Sequence, residues 1–151
     1  MHSTKPDDVQ DEQLRLELRL KLLEAQERAT TDFLSFCQYV WPEMLVGEHH
    51  RRIAKALDRV VTGECKRLMI AMPPRHGKSQ LGSYLFPAYI MGRSPDTKLI
   101  VGSHTAELAQ RFGRMIRNLV DDERYKELFP KMALSVDSKA AGRWNTAQGG
   151  E

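Results

Sequence analysis

The stretch from Lys66 to Phe86, KRLMIAMPPRHGKSQLGSYLF, narrows the choice of fold more than any other part of the chain. Its first seven residues form a short apolar run of the kind that fills a buried strand. Two prolines then stop the run, because proline has no N–H to give a ladder and biases the preceding residue away from helix. Gly77 closes the turn, and a helical pattern resumes at Lys78 and extends to about Met91, with a kink or early end expected at Pro87. The turn GRSPDTK leads into a second apolar run, LIVGS, and HTAELAQRFGRMIRNLVDD reads as a second long helix burying Leu108, Phe112, Met115, Ile116 and Leu119. A short helix, ERYKELF, should end before Pro130. The order strand, glycine-bearing loop, helix, turn, strand, helix predicts an α/β fold built on a parallel sheet flanked by helices.

Helices precede this unit. In DEQLRLELRLKLLEAQERATT the leucines at 14, 16, 18, 20 and 22 alternate as in a strand. The surrounding residues are strong helix formers, with no β-branched residue before Thr30, so the segment is expected to be a helix with apolar residues on two sides, packed between neighbours. TDFLSFCQYVWPEML should form a helix ending before Pro42. GEHHRRIAKALDRVVTG is amphipathic, with Ile53, Leu57, Val60 and Val61 on one face, Arg52, Lys55 and Arg59 on another, and Gly63 as its stop. The first ten residues and the terminal AAGRWNTAQGGE are polar and predict no regular structure.

Composition excludes several classes. No apolar run is long enough to span a membrane, and the N-terminus lacks the apolar core of a signal peptide. Cys37 and Cys65 lack metal-ligand spacing and read as buried thiols, while His76 and His104 have no spacing with His49 and His50 that would suit zinc. A net charge of +3 argues only weakly for a polyanionic partner, and Arg111, Arg114 and Arg117 read as a solvated face with Glu107 paired to Arg111.

The chemistry concentrates in the loop. A Gly-Lys-Ser between an apolar strand and a helix aims backbone N–H groups and the open helix N-terminus at one spot, which favours an anion. Lys78 would reach the β- and γ-phosphates of a nucleotide, the Ser79 hydroxyl would ligand Mg²⁺, and Gly77 would let the backbone approach. The phosphate-binding set is then Pro74, Arg75, His76, Gly77, Lys78, Ser79 and Gln80. Met72 stands where a phosphate loop usually opens with glycine; Pro73-Pro74 can fix another path, and Arg75 adds a permanent charge.

PPRHGKS after an apolar strand resembles the variant Walker A motif of the large subunits of tailed-bacteriophage terminases, the motors that package viral DNA. The likeness extends from FCQYVWPEM through GEHHRRIAKALDRVV to GRWNTAQGGE and covers roughly residues 31–151, after a tail and helix at 1–30. It implies a RecA-like P-loop NTPase fold, here incomplete and carrying N-terminal helices. It also implies ATP and Mg²⁺ as cofactors, Lys78 and Arg75 as catalytic residues, and an adenine contact from His49 or His50. The partners implied are double-stranded viral DNA, the portal protein, the small terminase subunit and further copies in a ring. The place implied is the host bacterial cytoplasm, transiently at the procapsid portal.

Hydrolysis in that family uses an acidic pair at the end of an apolar strand. The pairs present, Asp7-Asp8, Asp11-Glu12 and Asp121-Asp122, do not follow such a strand. The chain is therefore expected to stop before Walker B and the nuclease domain of its parent enzyme, and to be inactive alone. In the family's sheet the two strands read here are not neighbours, so unpaired edges and exposed apolar faces are expected as well. Two other readings remain open at this point: another RecA-like DNA motor such as a helicase, and a non-catalytic nucleotide-binding module.

Overall fold

The computed structural model describes residues 6–135 and 144–150. Six α-helices carry the architecture: α1 (Pro6–Thr31), α2 (Phe33–Val40), α3 (Glu48–Val61), α4 (Phe86–Arg93), α5 (Ala106–Val120) and α6 (Glu123–Leu128). The starts of three follow from local chemistry. Asp32, Thr105 and Asp122 accept hydrogen bonds from the backbone N–H groups of Ser35, Leu108 and Arg124 at 2.7, 3.3 and 2.9 Å, satisfying donors that a first helical turn leaves open. The α2 helix ends before Pro42, and Gly63 (φ +77°) follows the end of α3, as the sequence predicts.

The core is aromatic and lies where α2, α4 and α6 meet. Phe36 packs against Tyr89, Phe129 and Tyr125 at centroid separations of 5.2, 6.0 and 6.1 Å, and Phe33 meets Tyr89 and Phe86 at 5.4 Å each. Such pairs add roughly 0.5–1.5 kcal/mol each beyond the area they bury. The buried Tyr125 hydroxyl donates to the Ala88 carbonyl at 2.7 Å, so its polar tip is satisfied. Asp58 of α3 accepts from the Phe33 N–H at 3.1 Å, which ties α3 to the start of α2.

The predicted parallel sheet is not there. Neither the run before the prolines nor LIVGS is a strand, and the pairing between described residues is one antiparallel bridge, Leu134 with Thr146. The RecA-like α/β expectation is therefore corrected to a helical fold. The physical reason is that a strand is defined by its partner, and these two runs do not pair with each other or with another described segment. Their side chains still sort by position: Ile70, Met72, Leu99 and Val101 pack against the core, while Met69 is 92% and Ile100 99% exposed.

Four further expectations change. The α1 helix forms, but Leu14, Leu16, Leu18, Leu20, Leu22 and Leu23 stay 51–60% exposed; only its C-terminal end, at Ala25, Gln26 and Ala29, packs on the body. In α5, Ile116 and Leu119 are buried, whereas Leu108, Phe112 and Met115 are half-buried, and Glu107 makes no ion pair with Arg111. Cys37 is buried, but Cys65 is half-buried and its thiol faces the Arg67 carbonyl at 3.4 Å. Residues 144–150 dock: Trp144 Nε1–H donates to the Gly113 carbonyl at 3.2 Å, and the Thr146 hydroxyl to that of Pro95 at 2.6 Å.

The helix after the loop is bent in register rather than stopped. Gln80–Leu85 forms a wide π-type turn in which the Phe86 N–H reaches back five residues to Leu81, and α4 then continues with Pro87 in its first turn. Pro87 has no N–H to offer Ser83, so a widened turn before it absorbs the missing bond.

Candidate functional site

The loop from Pro73 to Ser79 joins residues 67–72 to the helical run that ends at Arg93. Two of its residues lie in the left-handed backbone region, Gly77 at φ +78° and Arg75 at φ +65°. Glycine adopts this conformation without strain, whereas a side chain such as arginine costs about 1–2 kcal/mol there. The His76 Nδ1–H donates to the Pro74 carbonyl at 2.8 Å across the turn. At the exit the Leu81 N–H bonds the Gly77 carbonyl at 2.9 Å and closes the first helical turn, so the N–H groups of Lys78, Ser79 and Gln80 precede it. Lys78, Ser79 and Arg75 are exposed, and their side chains make no hydrogen bond or ion pair to other described residues.

A cleft of about 550 Å³ opens beside the loop. Arg75, His76, Gly77, Gln80 and Leu81 form one wall, His49 and His50 a second, and Trp41, Glu43, Met44 and Leu45 the third. The two histidines proposed from sequence are thus brought against the loop, while His104 lies elsewhere, at an exposed position before α5. Trp41 to Leu45 were not among the sequence-read site residues; the signal available was a proline-interrupted aromatic segment ahead of a histidine-rich helix start.

The histidine geometry is specific. His50 is the third residue of α3, and its Nδ1 accepts the Gly47 N–H at 3.0 Å, the role a glutamate plays in a capping box. Its Nε2 lies 3.0 Å from His49 Nε2, with the ring centroids 3.8 Å apart. The His76 ring sits edge-on to His49 at 5.8 Å. Burial, then the neighbouring His49, pushes the His50 imidazole below its ordinary value of 6.5, and His76 adds opposing smaller effects.

A second groove, about 430 Å³, runs between α4, α5, Leu99–Val101 and Trp144. It is lined by apolar residues and Gln110, includes nothing from the loop, and has no charged group to hold a phosphate.

Residues 69–146, more than half of the chain and including the whole loop, match the family described as terminase large subunit, T4likevirus-type, N-terminal. No curated protein and no solved structure matches. No helix among the described residues is long and apolar enough to cross a membrane. On the strength of the family match, the chain belongs to the phage terminase large subunits, in their T4-like N-terminal family.

Proposed function

We propose that this chain is the nucleotide-binding part of a DNA-packaging motor, and that the loop Pro74–Gln80 holds the triphosphate of ATP with its Mg²⁺. The observation that carries the reading is the loop itself: Gly77 in a left-handed conformation directly before Lys78 and Ser79, both exposed and without side-chain partners among the described residues, at the start of a helical run. Lys78 would neutralise the outer phosphates, the Ser79 hydroxyl would hold Mg²⁺, and Arg75 would add a second cation to the same mouth. The adjoining cleft, with His49 and His50 in its wall, is where the base would lie. In this reading the complete motor works on double-stranded viral DNA, with portal and small-subunit partners and further copies of itself, in the host cytoplasm.

The test is equilibrium binding of a fluorescent, non-hydrolysable ATP analogue with Mg²⁺ to the wild type and to Lys78→Ala. Loss of a charge-assisted contact of about 1.5–3 kcal/mol weakens binding on the order of tenfold to a hundredfold. Equal binding by the two proteins would remove the assignment.

A second reading, nucleotide binding without turnover, is favoured by the carboxylates. Asp121 is engaged with Lys126 at 2.6 Å and Asp122 caps α6, so neither is presented to the loop. Among the described residues, Glu43 is the acid in the cleft wall. Phosphate release by the 151-residue chain should therefore stay at background, and turnover abolished by Lys78→Ala would overturn this.

A further inference from the structure

The His49–His50 pair lies between two glycines that leave no room for a side chain. A Cβ added at Gly47 would stand 2.8 Å from His49 Cε1, and one added at Gly77 would stand 3.0 Å from His50 Nε2. The stack therefore bridges the N-terminus of α3 to the phosphate loop, with a glycine at each end. We propose that His50 is a positioning residue for the phosphate loop: locked as the Nε2–H tautomer between Gly47 and His49, it braces Gly77.

The tautomer follows from donor and acceptor roles alone. A backbone N–H can only donate, so His50 Nδ1 carries a lone pair, and the ring's single proton sits on Nε2. At 3.0 Å the facing His49 Nε2 must then accept, which places the His49 proton on Nδ1. Both rings are neutral in this arrangement. Protonating His50 at Nδ1 sets two N–H groups against each other at Gly47, and protonating His49 at Nε2 does the same between the rings. The groups facing the pair are His49 beside it on α3, Arg75 and His76 from the loop, and Glu43 from the α2–α3 connection. His49, Arg75 and the His76 side chain disfavour a charge on His50, while Glu43 and the backbone of His76 favour it.

The sign of the pH effect follows. The fold prefers neutral His50, so the brace is fully present above the ordinary imidazole value of 6.5 and is lost as pH falls below it towards the lowered value. Phosphate affinity should fall with it.

The inference rests on the nucleotide reading, and the experiment separates the two. Binding of the Mg²⁺–ATP analogue is measured from pH 8 to 5.5 for wild type, His50→Ala and His50→Gln, alongside a long-range ¹⁵N NMR spectrum of the ligand-free wild type. Glutamine can accept from Gly47 through its carbonyl and donate to His49 through its amide, and it does not titrate in this range. His50→Ala should bind several-fold more weakly at pH 8, and His50→Gln should recover most of that loss. As pH drops below 6.5, wild type should weaken relative to His50→Gln and level off near the several-fold loss of His50→Ala once the His50 imidazole is charged. The ligand's phosphate protonation is common to all three proteins and cancels in the ratio. The spectrum should show His50 as the Nε2–H tautomer at pH 8. A constant ratio across pH, wild-type affinity in His50→Ala, or a His50 Nδ1–H tautomer each overturns the brace. Absence of binding by wild type at pH 8 would instead remove the nucleotide reading, and the NMR tautomer would still decide the geometry.

Discussion

Replacing Gly77 by alanine tests how the loop is built. Two separate penalties are expected. The first is backbone: at φ +78° an alanine pays about 1–2 kcal/mol that glycine does not. The second is steric: the new methyl would stand 3.0 Å from His50 Nε2, tighter than ordinary packing, in a ring held by hydrogen bonds at both nitrogens. Forcing such a contact costs on the order of 1 kcal/mol or more. The variant should therefore lose about 2–3 kcal/mol in a urea titration followed by far-ultraviolet circular dichroism, and it should bind nucleotide poorly.

The control is Gly82→Ala, three residues after Ser79 and inside Gln80–Leu85, where an added Cβ meets nothing within 4 Å. There the ordinary helical preference applies and alanine should stabilise by about 0.5–1 kcal/mol. In a His50→Ala background the steric part of the Gly77→Ala penalty disappears and the backbone part of about 1–2 kcal/mol remains. If Gly77→Ala is as harmless as Gly82→Ala, the left-handed loop is wrong; if its cost is the same with and without His50, the contact is wrong.

Gly92→Ala should also destabilise, against its helical location in α4, because the new methyl would fall on the buried Phe129 ring; overpacking costs about 1–3 kcal/mol, and a thermal melt that rises instead of falling would exclude the contact. A thiol reagent at pH 8 should modify Cys65 and spare Cys37 in the native protein, since burial and the nearby Asp32 and Asp58 push the Cys37 thiol far above its usual range; two fast-reacting thiols per native chain would refute its burial.

Much of the helical architecture was legible because its determinants are local. The apolar face of α3, the caps at Asp32, Thr105 and Asp122, and the stops at Pro42 and Gly63 each depend on a few consecutive residues. The sheet was misread for the converse reason. KRLMIAM and LIVGS have strand composition, but hydrogen-bond pairing is a long-range property, and exposed Met69 and Ile100 show apolar runs without it. The docked end around Trp144 was hidden by its polar composition, since what fixes it is one indole N–H and one hydroxyl reaching carbonyls 31 and 51 residues away. At the site, Gly77-Lys78-Ser79 stood out by spacing, and His49 and His50 by position relative to it. That the two imidazoles bond each other, and abut Gly47 and Gly77, depends on how α3 packs and was not readable from their order.

The missing sheet changes what must hold the loop. Where a phosphate loop leaves a paired strand, ladder hydrogen bonds fix its incoming end. Here residues 67–73 form no backbone hydrogen bond with the backbone of any other described residue, so that end is placed by the partial burial of Ile70 and Met72 and by the Cys65 thiol at the Arg67 carbonyl. The remaining fixed points are the His76–Pro74 bond within the turn, the Leu81–Gly77 bond at the exit, and the His50 contact from α3. The first lies inside the loop and moves with it; the second holds only the helical side. His50 is the contact that ties Gly77 to a separate element with its own buried face at Ile53, Ala54 and Leu57. Loosening it should therefore alter the loop's affinity for phosphate more than the stability of the whole chain, because the aromatic core between α2, α4 and α6 does not depend on it. A His50→Ala variant that melts far below wild type yet binds nucleotide normally would invert that order and return the control of the loop to the segment before the prolines.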